Sequence, residues 1–315
     1  MRSAVTIVFL LTVSCAVLIG RISDALPQAR RVSQTLPIPP RIQWLDRAGY
    51  CGECSIQQAA LYYGGYVSQF VCRQIIDPEQ KQDVLIRVNA DMVLDALRLD
   101  YEEFETAEEP TPQYAAYLAW TKQHLHDGHP VIITVFCPGD SSWDYDHIVT
   151  AVGFHGRDAR AYHPRDTLVI NDNFKLKPHR REFHTLHDSR DMQGNGAAHE
   201  FCIPTTHNFG CAVTGVTDET GRLLPVRVTV DRESEPDVVK GLPPIPLKLT
   251  ATVSKLTPGK PYVLYSYDDY KSIPTSDYAH SKYKTARAFI ATGSSQVFHD
   301  TCPSNGLCVY RCLPQ

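Results

Sequence analysis

The chain carries no surplus of positive charge: 31 Lys and Arg stand against 35 Asp and Glu, a net charge of -4. Without a basic footprint, nucleic acid is not an expected partner. After residue 20 no apolar run is long enough to cross a bilayer, so the body of the chain is expected to be soluble. There is no Asn-x-Ser/Thr sequon, which excludes an N-glycan. Solenoid-type repeats are missing too. The histidines and cysteines never fall at zinc-type spacing, so no metal and no cofactor is expected.

What is present begins with an export signal. Arg2 gives a short positive start, and Ala4 to Gly20 is an uncharged, mostly apolar run. Ser23 and Ala25 fit the small-residue positions of a cleavage site, so residues 1–25 read as a signal peptide cut after Ala25. An uncleaved anchor is the alternative, because 17 residues lie at the lower limit for spanning. The expected destination is the extracellular space or an endomembrane lumen, with no membrane contact after cleavage.

Cysteine usage agrees with export. Of ten cysteines, Cys15 lies in the signal and nine remain: Cys51, Cys54, Cys72, Cys137, Cys202, Cys211, Cys302, Cys308 and Cys312. In an oxidising compartment these should mostly pair. One reactive thiol plus four disulfides accounts for the odd number; a stray or intermolecular cysteine accounts for it equally well. Each native bridge would contribute roughly 2–4 kcal/mol.

The remaining chain divides by texture. Residues 26–40 are Pro-rich and basic, an irregular entry segment. Helical patterns follow over Ser55 to Tyr63 (stopped by Gly64-Gly65), Ser68 to Ile76, Asp91 to Leu97 and Tyr114 to Leu125. Then come β-branched and aromatic runs at Val131 to Phe136, His147 to Phe154 and Leu168 to Ile170. Helices before strands imply an α+β domain over 41–210, with helices on an antiparallel sheet. From about Cys211, short alternating strands imply a β-sandwich over 211–315. They include Val226 to Val230, Leu247 to Val253, Tyr262 to Tyr267 and Ala286 to Ile290. Cys302, Cys308 and Cys312 should staple its C-terminal edge.

Three stretches carry chemistry: Gly49-Tyr-Cys51-Gly-Glu-Cys54-Ser55 opening a helix, Asp146-His147 entering a strand, and Asn171-Asp172-Asn173-Phe174 leaving one. Thiol acyl transfer needs such parts. A thiol at a helix N-terminus gains from the positive dipole end. An imidazole takes its proton, and an acceptor on the other ring nitrogen fixes the tautomer. Asp172 or Asn171 can be that acceptor. An oxyanion hole needs the Cys51 N–H and a second donor. Gln43 is the only Gln or Asn close upstream, eight residues before Cys51.

Cys51-Gly-Glu-Cys-Ser55 followed by Leu61-Tyr-Tyr-Gly64 resembles the nucleophile helix of the papain-like, C39-like cysteine peptidases. Gly128-His-Pro130, Asp146-His147 and the Asn171-Asp172 turn match that family in order, and the resemblance spans roughly Gln43 to Phe174. It implies a cysteine peptidase acting on peptide or protein substrates, with Cys51, His147 and Asp172 as triad and Gln43 at the oxyanion hole. Gly49-Tyr-Cys-Gly-Glu-Cys54 also resembles papain's own Gly-x-Cys-Gly-x-Cys segment, which leaves Cys54 as alternative nucleophile. Whichever cysteine is not the nucleophile should be bridged, with Cys72 a candidate partner. Leu256-Thr-Pro-Gly-Lys-Pro-Tyr262 resembles a turn of fibronectin type III domains.

Two other functions stay open: a transglutaminase-like acyltransferase, and an inactive papain-like module used for binding. The C-terminal domain could bind protein or carbohydrate. His124, His126 and His129, and His179, His184 and His187, read as solvated faces. Trp143, Asp144 and Tyr145 are expected near His147 in the cleft.

Overall fold

Glycine marks where the first long helix must stop. In the computed structural model, which describes residues 32–45, 49–77, 79, 89–104, 107, 110–137, 145–188, 202–204 and 208–315, strand β1 (Val32–Thr35) leads through a coil into helix α1 (Cys51–Tyr62). The chain then turns at Gly64, whose φ of 84° suits glycine. A Cβ there would also stand 3.0 Å from the Val226 Cβ. The signal segment lies outside the described residues, as do Trp143, Asp144 and the side chains of Cys137, Tyr145 and Asp146.

Strand β2 (Gly65–Val67) and helix α2 (Gln69–Ile76) follow. The Ser68 hydroxyl caps α2 by accepting from the Val71 N–H at 3.1 Å. Helix α3 (Ala90–Ala96), strand β3 (Leu99–Glu103) and helix α4 (Tyr114–Asp127) come next. Strands β4 (Val131–Cys137), β5 (Tyr145–Gly156), β6 (Thr167–Asn171) and β7 (His179–Glu182) then run antiparallel to one another. A one-turn helix α5 (Phe183–Leu186) and the short parallel pair β8 (His187–Asp188) and β9 (Ile203–Pro204) precede β10 (Gly210–Val216).

These strands build one sheet in the order β3-β10-β4-β5-β6-β7. Beyond Ala151, where β4 ends, β1 continues along β5 from Thr35↔Gly153 to Val32↔Gly156. Close approach of β1 leaves no room for a Cβ on Gly153, which would sit 2.5 Å from the Gln34 carbonyl oxygen. Helix α4 packs Tyr117, Leu118 and Leu125 into a core with Val131, Val149, Phe154 and Ile170. Helix α1 packs Ile56, Ala59 and Ala60 into a second core with Ile132, Ile148 and Val213. The fold is therefore α+β with an antiparallel sheet.

The C-terminal part adds two more sheets. Strands β11 (Val226–Val230), β12 (Pro246–Ser254) and β15 (Ser295–Pro303) form one, in the order β11-β12-β15. Strands β13 (Pro261–Tyr267), β14 (Thr285–Ile290) and β16 (Leu307–Pro314) form the other, in the order β14-β13-β16-β2. Alternation along β12 turns Leu247, Leu249, Ala251 and Val253 into a shared core with Leu264, Tyr310 and Cys312. The Tyr262 hydroxyl accepts from the Thr257 N–H at 2.9 Å, closing the turn before β13.

Two details differ from the sequence reading. The boundary at 211 falls inside β10, which belongs to the first sheet, so the change of texture comes after Val216. Strand β2, from the N-terminal part, completes the β16 edge through Leu307↔Val67 to Val309↔Gly65. Arg31–Gln315 accordingly form a single compact unit.

Candidate functional site

Helix α1 begins at Cys51, and its start is fixed from α2. Arg73 is fully buried. Its Nε donates to Glu53 Oε1 at 2.6 Å and its Nη2 to the Gly49 carbonyl at 2.6 Å. Its guanidinium also lies 3.5 Å from the Tyr50 ring centre. Glu53 sits in the first turn, where the helix dipole favours a carboxylate. Cys51 is half-buried, whereas Cys54, one turn on, is wholly enclosed. Burial pushes the Cys54 thiol far above its ordinary range, so it is held as a protonated, inert group.

His147 lies on β5, and Asp172 directly follows the end of the neighbouring β6. Thr150 on β5 faces Asn171, the last residue of β6, and the turn that follows carries Phe174 back against His147. The two rings stack at 4.6 Å with 17° between their planes. His147 Nε2 lies 3.9 Å from Asp172 Oδ1, and both side chains are buried. Burial lowers the His147 pKa from its usual 6.5, and the Asp172 carboxylate opposes that. For Asp172, burial alone would raise the pKa. The facing His147, the Phe174 N–H at 2.8 Å and His179 together hold it below the usual carboxylate value.

Asn173 ties these parts together. Its Nδ2 donates to the Cys51 carbonyl at 2.9 Å and to the Ile148 carbonyl at 2.8 Å. Its Oδ1 accepts from Gln58 Nε2 at 2.8 Å, and its own carbonyl accepts from the Gln43 N–H at 2.9 Å. One residue thus joins the start of α1, the histidine strand and the Gln43 loop. Gln43 is 3% exposed, and its Oε1 has no hydrogen-bond partner among the described residues. Asn171 faces elsewhere: its amide donates to the Ile38 carbonyl at 2.8 Å and to Gln58 Oε1 at 2.9 Å.

Asn173, Arg73 and His179 were not singled out from sequence. His179 Nε2 lies 3.1 Å from Asp172 Oδ2, opposite the oxygen that faces His147. His179 was read as part of a solvated face, and so was His124. His124 is instead 7% exposed, packed edge-on against Trp120 at 4.6 Å. His126 and His184 are exposed as expected.

The anticipated disulfides are not formed among the described residues. Cys54, Cys72, Cys211, Cys302, Cys308 and Cys312 are buried thiols.

The described residues form a mixed α+β protein in which Asn173 links the start of α1 at Cys51 to the strand bearing His147, with Asp172 beside that histidine. No protein-family model and no curated protein matches the chain.

Proposed function

We propose that the protein is a secreted cysteine hydrolase of the papain-like, C39-like kind, cleaving peptide or amide bonds with Cys51, His147 and Asp172. The observation that carries this reading is the Asn173 bridge, which ties the Cys51 carbonyl to the strand bearing His147 while Asp172 meets His147 Nε2. With Nε2 directed at Asp172, Nδ1 is the nitrogen left to exchange a proton with the Cys51 thiol. Burial favours the neutral ring, the form that can accept that proton.

The steps follow from these roles. His147 removes the Cys51 proton, and the thiolate attacks the substrate carbonyl carbon. The resulting oxyanion takes hydrogen bonds from the Cys51 N–H and the Gln43 side-chain amide. As the intermediate collapses, His147 passes its proton to the leaving amine, and a thioester to Cys51 remains. Water, deprotonated by His147, attacks the thioester; the acid is released and the Cys51 thiol restored.

Iodoacetamide labelling of the native protein, read by peptide mass spectrometry, together with release of p-nitrophenol from p-nitrophenyl acetate, tests the assignment. Cys51→Ala is expected to abolish both, while Cys54→Ala leaves Cys51 labelling in place. Loss of both signals in Cys54→Ala but not in Cys51→Ala would overturn the nucleophile.

A further inference from the structure

Gln43 lies in a stretch of coil, residues 36–45, that belongs to no sheet or helix. Its backbone must therefore find partners elsewhere. They come from the connection after β11, in the C-terminal part of the chain. The Ile42 N–H donates to the Glu233 carbonyl at 3.0 Å, Arg41 Nη1 donates to the Arg232 carbonyl, and Trp44 Nε1 donates to the Glu235 carbonyl at 3.0 Å.

The Glu235 side chain runs inward from there and is 5% exposed. Its Oε1 accepts from the Gln69 N–H at 2.8 Å. Its Oε2 accepts from the Tyr66 hydroxyl at 2.5 Å and from Gln57 Nε2 at 3.0 Å, with Arg41 Nη2 at 3.8 Å. Gln69 in turn grips the coil on both sides of Gln43: its Oε1 accepts from the Trp44 N–H at 2.9 Å and its Nε2 donates to the Ile42 carbonyl at 3.1 Å. Arg41 Nε donates to Gln57 Oε1 at 2.8 Å. The coil is thus clamped before and after Gln43, while the Gln43 N–H alone reaches toward the site, to the Asn173 carbonyl.

We infer that Glu235 is a positioning residue for Gln43, so that the C-terminal sandwich is part of the catalytic apparatus rather than a separate adhesive module. This rests on the reading of Gln43 as an oxyanion donor. Glu235 is suited to the task because three donors converge on its two oxygens; burial pushes its pKa up, and Arg41 with these donors opposes that rise. Gln at this position would place an NH2 against those donors. The eight-residue gap between Gln43 and Cys51 is then accounted for: the coil takes its place from Glu235 and Gln69 rather than from the start of α1.

The test compares two reactions of Cys51 in the full-length protein. Alkylation by iodoacetamide passes through no oxyanion; acylation by p-nitrophenyl acetate does. Gln43→Ala is expected to slow acylation by roughly 100-fold. Glu235→Gln should slow it by about tenfold or more, and Trp44→Phe (a milder change that keeps the ring against Tyr50) by a few-fold, with alkylation within about twofold of wild type. Acting through Gln43, Glu235→Gln should add little to Gln43→Ala in the double variant. Fully multiplicative effects, or equal loss of alkylation and acylation, would overturn the inference. Should wild-type Cys51 not be acylated at all, the hydrolase reading fails by itself. Hydrogen exchange at the Ile42 to Trp44 amides then decides the clamp: faster exchange in Glu235→Gln supports it, unchanged exchange removes it.

Discussion

The side-chain amide of Asn173 donates to the backbone carbonyl of Cys51 at 2.9 Å, across 122 residues of sequence. The same nitrogen reaches the Ile148 carbonyl, so Asn173→Ala takes one donor from each carbonyl and leaves the Ser55 hydroxyl to serve both. Each hydrogen bond so lost contributes about 0.5–1.5 kcal/mol. Asn173→Ala should therefore lower the melting temperature clearly and slow Cys51 acylation. Asn173→Asp should be worse than Ala, because a carboxylate would face the two carbonyl oxygens. Thermal denaturation of both variants checks the order; equal melting temperatures to wild type would dismiss the bridge.

The two histidines on Asp172 give a pH signature. The folded-state pKa of His147 lies below 6.5, so the neutral ring persists to lower pH than in the unfolded chain. Acylation by an activated ester should fall on the acid side with a midpoint below 6.5; a midpoint above 7 would contradict this. Asp172 is lowered, so its contribution to stability is present above the unfolded carboxylate value near 3.8 and is lost as pH falls through its folded value. His179 supports that lowering. His179→Ala should move acid unfolding, followed by circular dichroism, to higher pH. His179→Gln keeps a donor near Asp172 Oδ2 and should fall between Ala and wild type.

Gly153→Ala would bring a methyl to 2.5 Å from the Gln34 carbonyl oxygen and 2.9 Å from the Thr35 Cα. Backbone on a paired strand yields little, so either β1 lifts from β5 or β5 shifts. A cost of about 1–3 kcal/mol is expected. A chemical-denaturation midpoint matching wild type would show that β1 is dispensable at this position.

Cys302 and Cys308 flank the turn between β15 and β16, and both thiols are buried, with Cys308 Sγ donating to the Tyr310 hydroxyl at 3.2 Å. The influence of each thiol on the other lowers Cys308 and raises Cys302, with burial adding to the rise. In an oxidising medium this pair is the one expected to cross-link. Closing so short a loop stabilises by about 2 kcal/mol. Peptide mapping without reductant should recover residues around 302 and 308 as one linked species, and reduction should lower the melting temperature. Recovery of Cys308 joined to Cys312 instead would refute the assignment.

Periodicity made some elements legible and not others. The strands β4, β5 and β6 announce themselves because both faces are covered and their runs are continuously apolar. Strand β3 reads Leu-Asp-Tyr-Glu-Glu, and only Leu99 is fully buried, so its charged face concealed it. In β15 the inward positions are occupied by residues such as Gln296 and Cys302 among polar neighbours, which masks the alternation. Strand β2 is three residues long, too short for any period to show.

The candidate site divides the same way. Cys51, His147 and Asp172 stand out as candidates because their types, order and strand context carry information locally. Asn173, Arg73, His179 and Glu235 act through partners fixed only by the tertiary fold. Glu235 meets Gln69 and Tyr66 across 166 and 169 residues, a relation that no window of sequence contains.

The pairing of β2 with β16 has a consequence for biosynthesis. Residues 65–67 leave the ribosome well before residues 307–309, yet their hydrogen-bonding edge waits for them. Until then the newborn chain presents an uncovered edge and an unfinished layer beside α1, a contact of very high sequence separation. Synthesis of β16, rather than completion of the first half, is the event that lets this layer close.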